Sequence, residues 1–485
     1  MQSRFGTTMQ AALFATVAAT RISRRVAVIG GGSGGVVAAR FLKRAGHKPT
    51  IFEAGEQFGG VWADAPTNDV VYKDLQTNLP TAVMQSPDLD FPAGLPSYID
   101  KPMLGRYIAQ YATTFGVAED ARFGTKVDSV EAADEAWKVR WSERDGATHT
   151  ETYDAVIVAN GHYEEPYAPP IPGDDEWLAA DASREIIHSR AYDDASAFRD
   201  RSVLVVGGRS SGVDISRMLH GVAKWTYVLE KGCAGAVEHA GQAVTHVPLG
   251  TRLGADGKLR LDDGAVVSGS GPPVDRVVLA TGYVYSFPFL DEQALGMAFR
   301  GKRWVTPLYE HLQHARRPTL GFIGIPLAVP CPIPFFECQA AYLAEAWSRP
   351  PGEELTSEAE RDAWVAARLD AVGFDRGRPQ DTHLTGAAGG SAWTYMRELL
   401  GRVHAARPPT ADGASWLERS DWEARLETVE SVYRDRGARY PKRPWDDDAY
   451  RRCEYDVDWE AGTWTVDDSK AKAVCEPEPV SAAAA

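Results

Sequence analysis

A chain of 485 residues, 44% apolar and 25% charged, has the volume for roughly two to four domains and the balance of a globular protein. Its 52 basic against 67 acidic residues give a net charge of −15, which argues against nucleic acid as a partner: no basic excess exists to neutralise phosphates. The five cysteines, Cys233, Cys331, Cys338, Cys453 and Cys475, form no CxxC pair, which sets aside a disulfide framework and a structural zinc site and suits a reducing compartment.

The first acid in the chain is Glu53. Within residues 1–24 a short apolar stretch, Ala11–Ala19, lies between Arg4 and the run Arg21, Arg24 and Arg25. It is too short to span a bilayer, and no other segment is long and apolar enough for a transmembrane helix. The composition leaves three readings open: an organellar transit peptide, a weak signal peptide, or a plain extension. The expected location is therefore cytoplasmic, or organellar if this segment targets the chain.

From Arg25 the pattern becomes regular. Val26–Ile29 reads as a short apolar strand, GGGSGG follows, and a helical pattern runs through Arg44 to a capping Gly46. Thr50–Phe52 is a second strand and ends in Glu53. A second unit repeats the plan: strand Val203–Val206, the turn GGRSSG, a helix to about His220, and strand Trp225–Leu229 ending in Glu230. Gly30 to Glu53 and Gly207 to Glu230 both span 23 positions, the weak repetition expected of two nucleotide folds in one chain.

Strands Asp154–Ala159 and Arg276–Ala280 each close on a glycine turn, and the proline-rich stretches 164–173 and 269–275 read as crossings between domains. The expected organisation is an α/β protein with two Rossmann-like dinucleotide-binding domains, one inserted in the other. Residues 25–166 and 276–349 form the outer domain and 167–275 the insert. A helical C-terminal region spans 350–470, and the low-complexity tail 471–485 is expected to be disordered.

The chemistry starts at Gly30-x-Gly32-x-x-Gly35. Gly30 permits the tight turn, Gly32 lets the backbone approach a pyrophosphate, and Gly35 lets helix and strand pack closely. The helix N-terminus then stabilises the anion, and Glu53 can accept from ribose hydroxyls. In the second turn Gly207, Ser210, Ser211, Gly212 and Asp214 keep a similar frame, with Arg209 where a small residue belongs.

Further motifs follow in order: FGGVW at 58–62, VYKDLQTNLPTAVM at 71–84, DFPAGLPSY at 90–98 and HSRAY at 188–192. LATGYVYSFPFL at 279–290, LGFIGIP at 320–326 and PFFECQA at 334–340 complete the set. Together, over about residues 25–347, they resemble the flavin-containing monooxygenase family. The resemblance implies FAD at the first turn, held by Gly30, Gly32, Gly35 and Glu53, with Val61 and Trp62 along the flavin. It implies NADPH at the second, and a C4a-hydroperoxide on the reduced flavin that oxygenates nitrogen or sulfur. Thr77 and Asn78 would fall between flavin and nicotinamide, with Asn78 the catalytic residue hydrogen-bonding the oxygenated intermediate. Gln339 would lie near the isoalloxazine edge.

A neutral carboxamide suits that task, because it holds the intermediate without an acid strong enough to eject H₂O₂. His188 reads as a structural histidine, and the family's Phe and Gly before it are replaced by Ala182 and Arg184. Tyr192 favours the monooxygenase branch over the Baeyer–Villiger branch. Coenzyme choice is a contest of charges. Glu230 suits the free 2′-hydroxyl of NADH, whereas Lys231 and Arg209 suit the 2′-phosphate of NADPH. The balance favours NADPH, with Arg209 alternatively a surface ion-pair partner.

The leading expectation is an N,N-dimethylaniline-monooxygenase-like enzyme taking O₂ and a small amine or sulfide. Two alternatives stand beside it: an NADPH oxidase releasing H₂O₂, and a non-catalytic flavin-binding sensor with an impaired second site. The C-terminal region would close the substrate pocket or form a homodimer interface.

Overall fold

The computed structural model describes residues 21–64, 70–239, 241–386, 390–439 and 449–471. Strand Arg25–Ile29 explains its own composition. Val26 and Val28 face one apolar core while Ala27 and Ile29 face another, so the strand is covered on both sides. A strand buried on both faces reads as a continuous apolar run. It lies between Lys48–Phe52 and Ala155–Val158, both parallel to it, in a seven-stranded sheet. Ala121–Arg122 closes one edge, and Leu320–Phe322 leads to the antiparallel strands Gln313–His314 and Leu308–Tyr309 at the other. Helix Ser33–Arg44 returns from the first strand and buries Val36, Val37, Phe41 and Leu42. Gly46, at φ +88°, turns the chain out of it, a conformation that favours glycine.

The second sheet has six strands in the order Val237–His239, Val244–Pro248, Trp225–Glu230, Ser202–Val206, Arg276–Leu279 and Glu185–His188. Here too the central strand alternates between two cores, Leu204 on one side and Val203 and Val205 on the other.

This topology moves one expected boundary. Arg276–Leu279 pairs in parallel with Ser202–Val206, so it belongs to the inserted domain and does not reopen the outer one. The second crossing is instead Tyr283–Val284, which pairs with Glu165–Pro166 from the first crossing. The stretch 269–275 stays inside the insert, where the Pro272 carbonyl accepts from Tyr227 Oη at 2.7 Å. The reason is that a glycine turn needs a neighbouring strand to butt against, and Ala280 supplies it.

The C-terminal region carries helices Glu358–Val372, Ala392–Ala406 and Trp422–Arg439, then a hairpin, Glu454–Asp458 with Thr463–Asp467. The hairpin departs from the all-helical expectation for this region. Leu399, Leu400, Leu426 and Val429 share one apolar core with Val36, Leu42 and Ile108, so this region completes the outer domain.

A buried ionic knot joins the same parts. Arg40 Nη1 donates to Glu337 Oε1 at 2.8 Å, which also accepts from Tyr111 Oη and Ser86 Oγ, each at 2.7 Å. Glu337 Oε2 accepts from Trp416 Nε1 at 2.6 Å, and Asp88 is the second partner of Arg40.

No helix among the described residues is long and apolar enough to cross a membrane. The targeting reading of 1–24 falls mostly outside the described residues, but Ile22 and Arg24 already pack on the outer domain. Ile22 N donates to Ser348 O at 2.9 Å and Arg24 Nε to Trp347 O at 3.0 Å. Of the expected tail, only Ala471 is described.

Candidate active site

The two glycine turns are built alike. Gly30 (φ +110°) lies against the carbonyl of Ala159, and Gly207 (φ +118°) against that of Ala280, so a Cβ at either would collide. Gly35 packs on the carbonyl of Gly30 as Gly212 packs on that of Gly207. Each glycine pair therefore marks where helix and strand meet too closely for a side chain.

Arg209 occupies in its turn the place of Gly32. Gly32 caps its helix at φ −74°, ψ −177°, and Arg209 caps its own at φ −97°, ψ −171°. Both are extended conformations open to any residue, so arginine at this position leaves the turn intact. The side chain is exposed, lines the cavity described below, and has no ion pair among the described residues. The reading of Arg209 as a surface ion-pair partner thus finds no acid beside it.

Neither helix has a side-chain cap or an acid in its first turn. Other helices of the chain do: Asp100 accepts from Met103 N, and Ser357 forms a capping box with Glu360. Two uncapped N-termini opening on glycine turns fit the phosphates of two dinucleotides. The acids behind the turns are held differently. Glu53 accepts from Gly31 N and Gly55 N, both at 2.6 Å, leaving lone pairs for a ribose hydroxyl. Glu230 accepts from His246 Nδ1 at 2.7 Å.

Between the turns lies a cavity of about 780 Å³. Its walls include Ser33, Val61, Trp62, Thr77 and Asn78 from the outer domain. From the insert come Gly207, Arg209, Ser210, Ser211 and Lys231. The geometry thus gathers on one cavity residues from two segments of the chain separated by more than a hundred positions.

Thr77 is buried and fixed, donating through N to Ile99 O at 2.9 Å and accepting at Oγ1 from Ile99 N at 3.1 Å. Asn78, next in the chain, is half-buried, and its carboxamide has no hydrogen-bond partner among the described residues. It is a donor held on a rigid segment at an otherwise largely apolar wall.

Two expected residues, Gln339 and Asp214, sit elsewhere than the motif alone implied, while His188 is structural as expected. Gln339 is fully buried and does not line the cavity. Its Oε1 accepts from Gly324 N at 3.1 Å and its Nε2 donates to Tyr395 Oη at 3.0 Å. It therefore supports the loop that brings Leu327 and Ala328 to the wall. Asp214 touches the cavity, but its carboxylate is buried and engaged. Oδ2 accepts from Tyr72 Oη at 3.0 Å and Oδ1 from Arg451 Nη2 at 2.9 Å. Burial and that carboxylate push the Tyr72 hydroxyl well above the usual phenol range. His188 uses both ring nitrogens, Nε2–H towards Gly282 O at 2.9 Å and Nδ1 accepting from Arg190 N at 3.1 Å, the arrangement of a structural histidine. Burial lowers its pKa.

The sequence reading did not find Arg451, or His162, Tyr283 and Arg303 on the cavity wall. Arg451 lies in a segment without any motif, and no spacing signal could have found it. His162 and Tyr283 directly follow the Asn160-Gly161 and Thr281-Gly282 turns, so the turns were the available signal.

Fold and site together define a class: an α/β protein with two uncapped dinucleotide turns facing one cavity. The profile of the flavin-binding monooxygenase-like family matches residues 23–237. Flavin-containing monooxygenase FMO GS-OX5 of Arabidopsis thaliana is 33% identical over 465 residues, covering 89% of this chain and 94% of its own. FMO GS-OX-like 7 of the same plant is 35% identical, covering 88% and 92%. The solved S-allyl-L-cysteine S-oxygenase of Allium sativum matches with a TM-score of 0.72 at 28% identity, covering 89% of this chain and 97% of that one. This chain belongs to the flavin-containing monooxygenase family, whose cofactors are FAD and NADPH.

Proposed function

We propose that the protein transfers one oxygen atom from O₂ to the sulfur of a small thioether, using NADPH as reductant. In balance, the thioether, O₂, NADPH and a proton give the sulfoxide, NADP⁺ and water. The similarity to an S-allyl-L-cysteine S-oxygenase favours sulfur over the amine nitrogen that the family also suggests.

Gly30, Gly32, Gly35 and the N-terminus of Ser33–Arg44 would hold the FAD pyrophosphate, Glu53 the ribose, and Val61 and Trp62 the ring system. Gly207, Ser210, Ser211 and Gly212 would hold the NADPH pyrophosphate, with Arg209 and Lys231 towards the 2′-phosphate. Bound flavin supplies the electron transfer and the activation of oxygen. The residues supply position and exclusion of water. Thr77 fixes the segment, Asn78 directs its carboxamide into the cavity, and the apolar wall of Val61, Leu79, Leu104 and Ile108 keeps the space dry. No acid or base of the chain need act on the thioether, whose own lone pair attacks.

The observation that carries this reading is the unpartnered Asn78 carboxamide on a rigid segment between the two turns. An NADPH oxidase would share the turns but would not need a preorganised neutral donor there. The sensor reading relied on Arg209 impairing the second turn, and the shared backbone conformation of Gly32 and Arg209 removes that support. The test is Asn78→Ala and Asn78→Asp. Both variants are expected to retain FAD and to oxidise NADPH while sulfoxide falls at least about a hundredfold, the scale of losing one preorganised donor. Undiminished sulfoxide in either variant sinks the assignment.

A further inference from the structure

We propose that Arg451 is a positioning residue: it locks the segment bearing Asn78 against the helix of the second glycine turn, and so sets where the two nucleotides meet. The proposal rests on the sulfur-oxygenase reading above for its catalytic consequence, and on geometry for the clamp itself.

Arg451 belongs to the short turn Ala449–Arg452 just ahead of the C-terminal hairpin, and its side chain is 3% exposed. Its Nε donates to Thr77 O at 3.1 Å and its Nη2 to Gln76 O at 3.5 Å and to Asp214 Oδ1 at 2.9 Å. Asp214 lies in helix Ser210–Leu219, four positions after its start. One guanidinium therefore joins three parts of the chain: the C-terminal region, the backbone immediately before Asn78, and the inserted domain.

Two further contacts make the same link. Tyr72 comes from the outer domain yet packs in the core of the insert, with Tyr192, Phe198 and Ile215. Its hydroxyl donates to the other oxygen of Asp214 at 3.0 Å. Lys73 N donates to Asp193 O at 3.3 Å. Segment 72–78 is thus fastened to the insert at its start and to Arg451 at its end, with Asn78 the first side chain beyond the fastening that faces the cavity freely. A planar fork suits this task, since Arg451 reaches two backbone carbonyls and a carboxylate from two separate nitrogens, where a lysine ammonium offers one. Arginine is also the one residue type here that stays charged when buried.

The test compares the FAD-loaded wild type with Arg451→Met and Arg451→Lys by two measurements. Hydrogen exchange reads the backbone of residues 71–79 against the distant strand 25–29. Turnover with NADPH and thioanisole reads the fraction of NADPH electrons released as H₂O₂. The expected result for Arg451→Met is exchange at 71–79 at least about tenfold faster with strand 25–29 unchanged, and an H₂O₂ fraction raised at least about threefold. Arg451→Lys should recover part of both. The proposal is overturned if 71–79 exchanges as in the wild type, or if exchange rises equally across the chain while the H₂O₂ fraction stays unchanged. A wild type that never oxygenates thioanisole or other thioethers would refute the sulfur-oxygenase reading instead, and the exchange data would still decide the clamp.

Discussion

Glu53 and Glu230 stand 23 residues behind the first glycine of their respective turns, yet they are held by different partners. Glu53 is bound by two backbone N–H groups, and Glu230 by the imidazole of His246. A carboxylate beside an imidazole N–H presents less bare negative charge to an approaching 2′-phosphate. On the proposed function, Arg209 and Lys231, which line the same cavity, would outweigh Glu230 and favour NADPH.

Arg209→Ser is therefore expected to raise the KM for NADPH about tenfold or more and that for NADH little, the scale of one charge-assisted hydrogen bond. Steady-state kinetics with both coenzymes check it. Equal effects on the two would place the guanidinium away from the 2′-phosphate.

The two turns should fail independently. A methyl at Gly35 meets the carbonyl of Gly30, and one at Gly212 meets that of Gly207. Gly35→Ala is expected to yield protein without FAD, read from the absorbance ratio at flavin and protein bands. Gly212→Ala should keep its FAD and raise the KM for NADPH about tenfold or more, since overpacking costs about 1–3 kcal/mol.

Glu337 holds the buried knot of Arg40, Ser86, Tyr111 and Trp416. Glu337→Ala leaves buried Arg40 with Asp88 as its one remaining carboxylate partner among the described residues, and breaking such a buried pair costs about 3–5 kcal/mol. The expected outcome is an earlier first transition in thermal and urea unfolding, with loss of FAD at the same point. A transition within about 0.5 kcal/mol of wild type would show that water or a shifted side chain compensates the charge.

Glu310 gives a pH dependence of defined sign. Burial raises its carboxyl to about 7, although Arg402 lies 3.1 Å away. Between about 4.5 and 7 the folded protein keeps a proton that the unfolded chain has released, so this group's contribution falls as pH rises through that window. Glu310→Gln removes the titration. Relative to wild type, the variant should gain stability from pH 4.5 to pH 7 and level off above, by at most roughly 3 kcal/mol. Melting curves of both proteins across that range check it, and parallel curves would contradict it.

The local grammar was legible in the chain. Glycines at 30, 35, 207 and 212 announced two turns, because only a residue without Cβ fits where helix and strand touch. The apolar runs at Val26–Ile29 and Val203–Val206 announced central strands, because strands buried on both faces have no polar alternation to show. Asn78 and the FGGVW stretch were visible through a family pattern. These are short-range signals, fixed by sterics within a few residues.

What the fold decided was long-range. That Arg276–Leu279 belongs to the inserted sheet depends on which strand it pairs with, and both sheets would accept its apolar side chains. That Gln339 supports a loop, and that Asp214 faces Tyr72 and Arg451, depends on partners contributed by distant segments. Arg209, the residue that made the second turn look broken, was settled by its backbone angles, which any residue can adopt. Arg451 carried no local signal at all. Its meaning arises only where burial strips water from a guanidinium, so that carbonyls and a carboxylate from three parts of the chain must satisfy it.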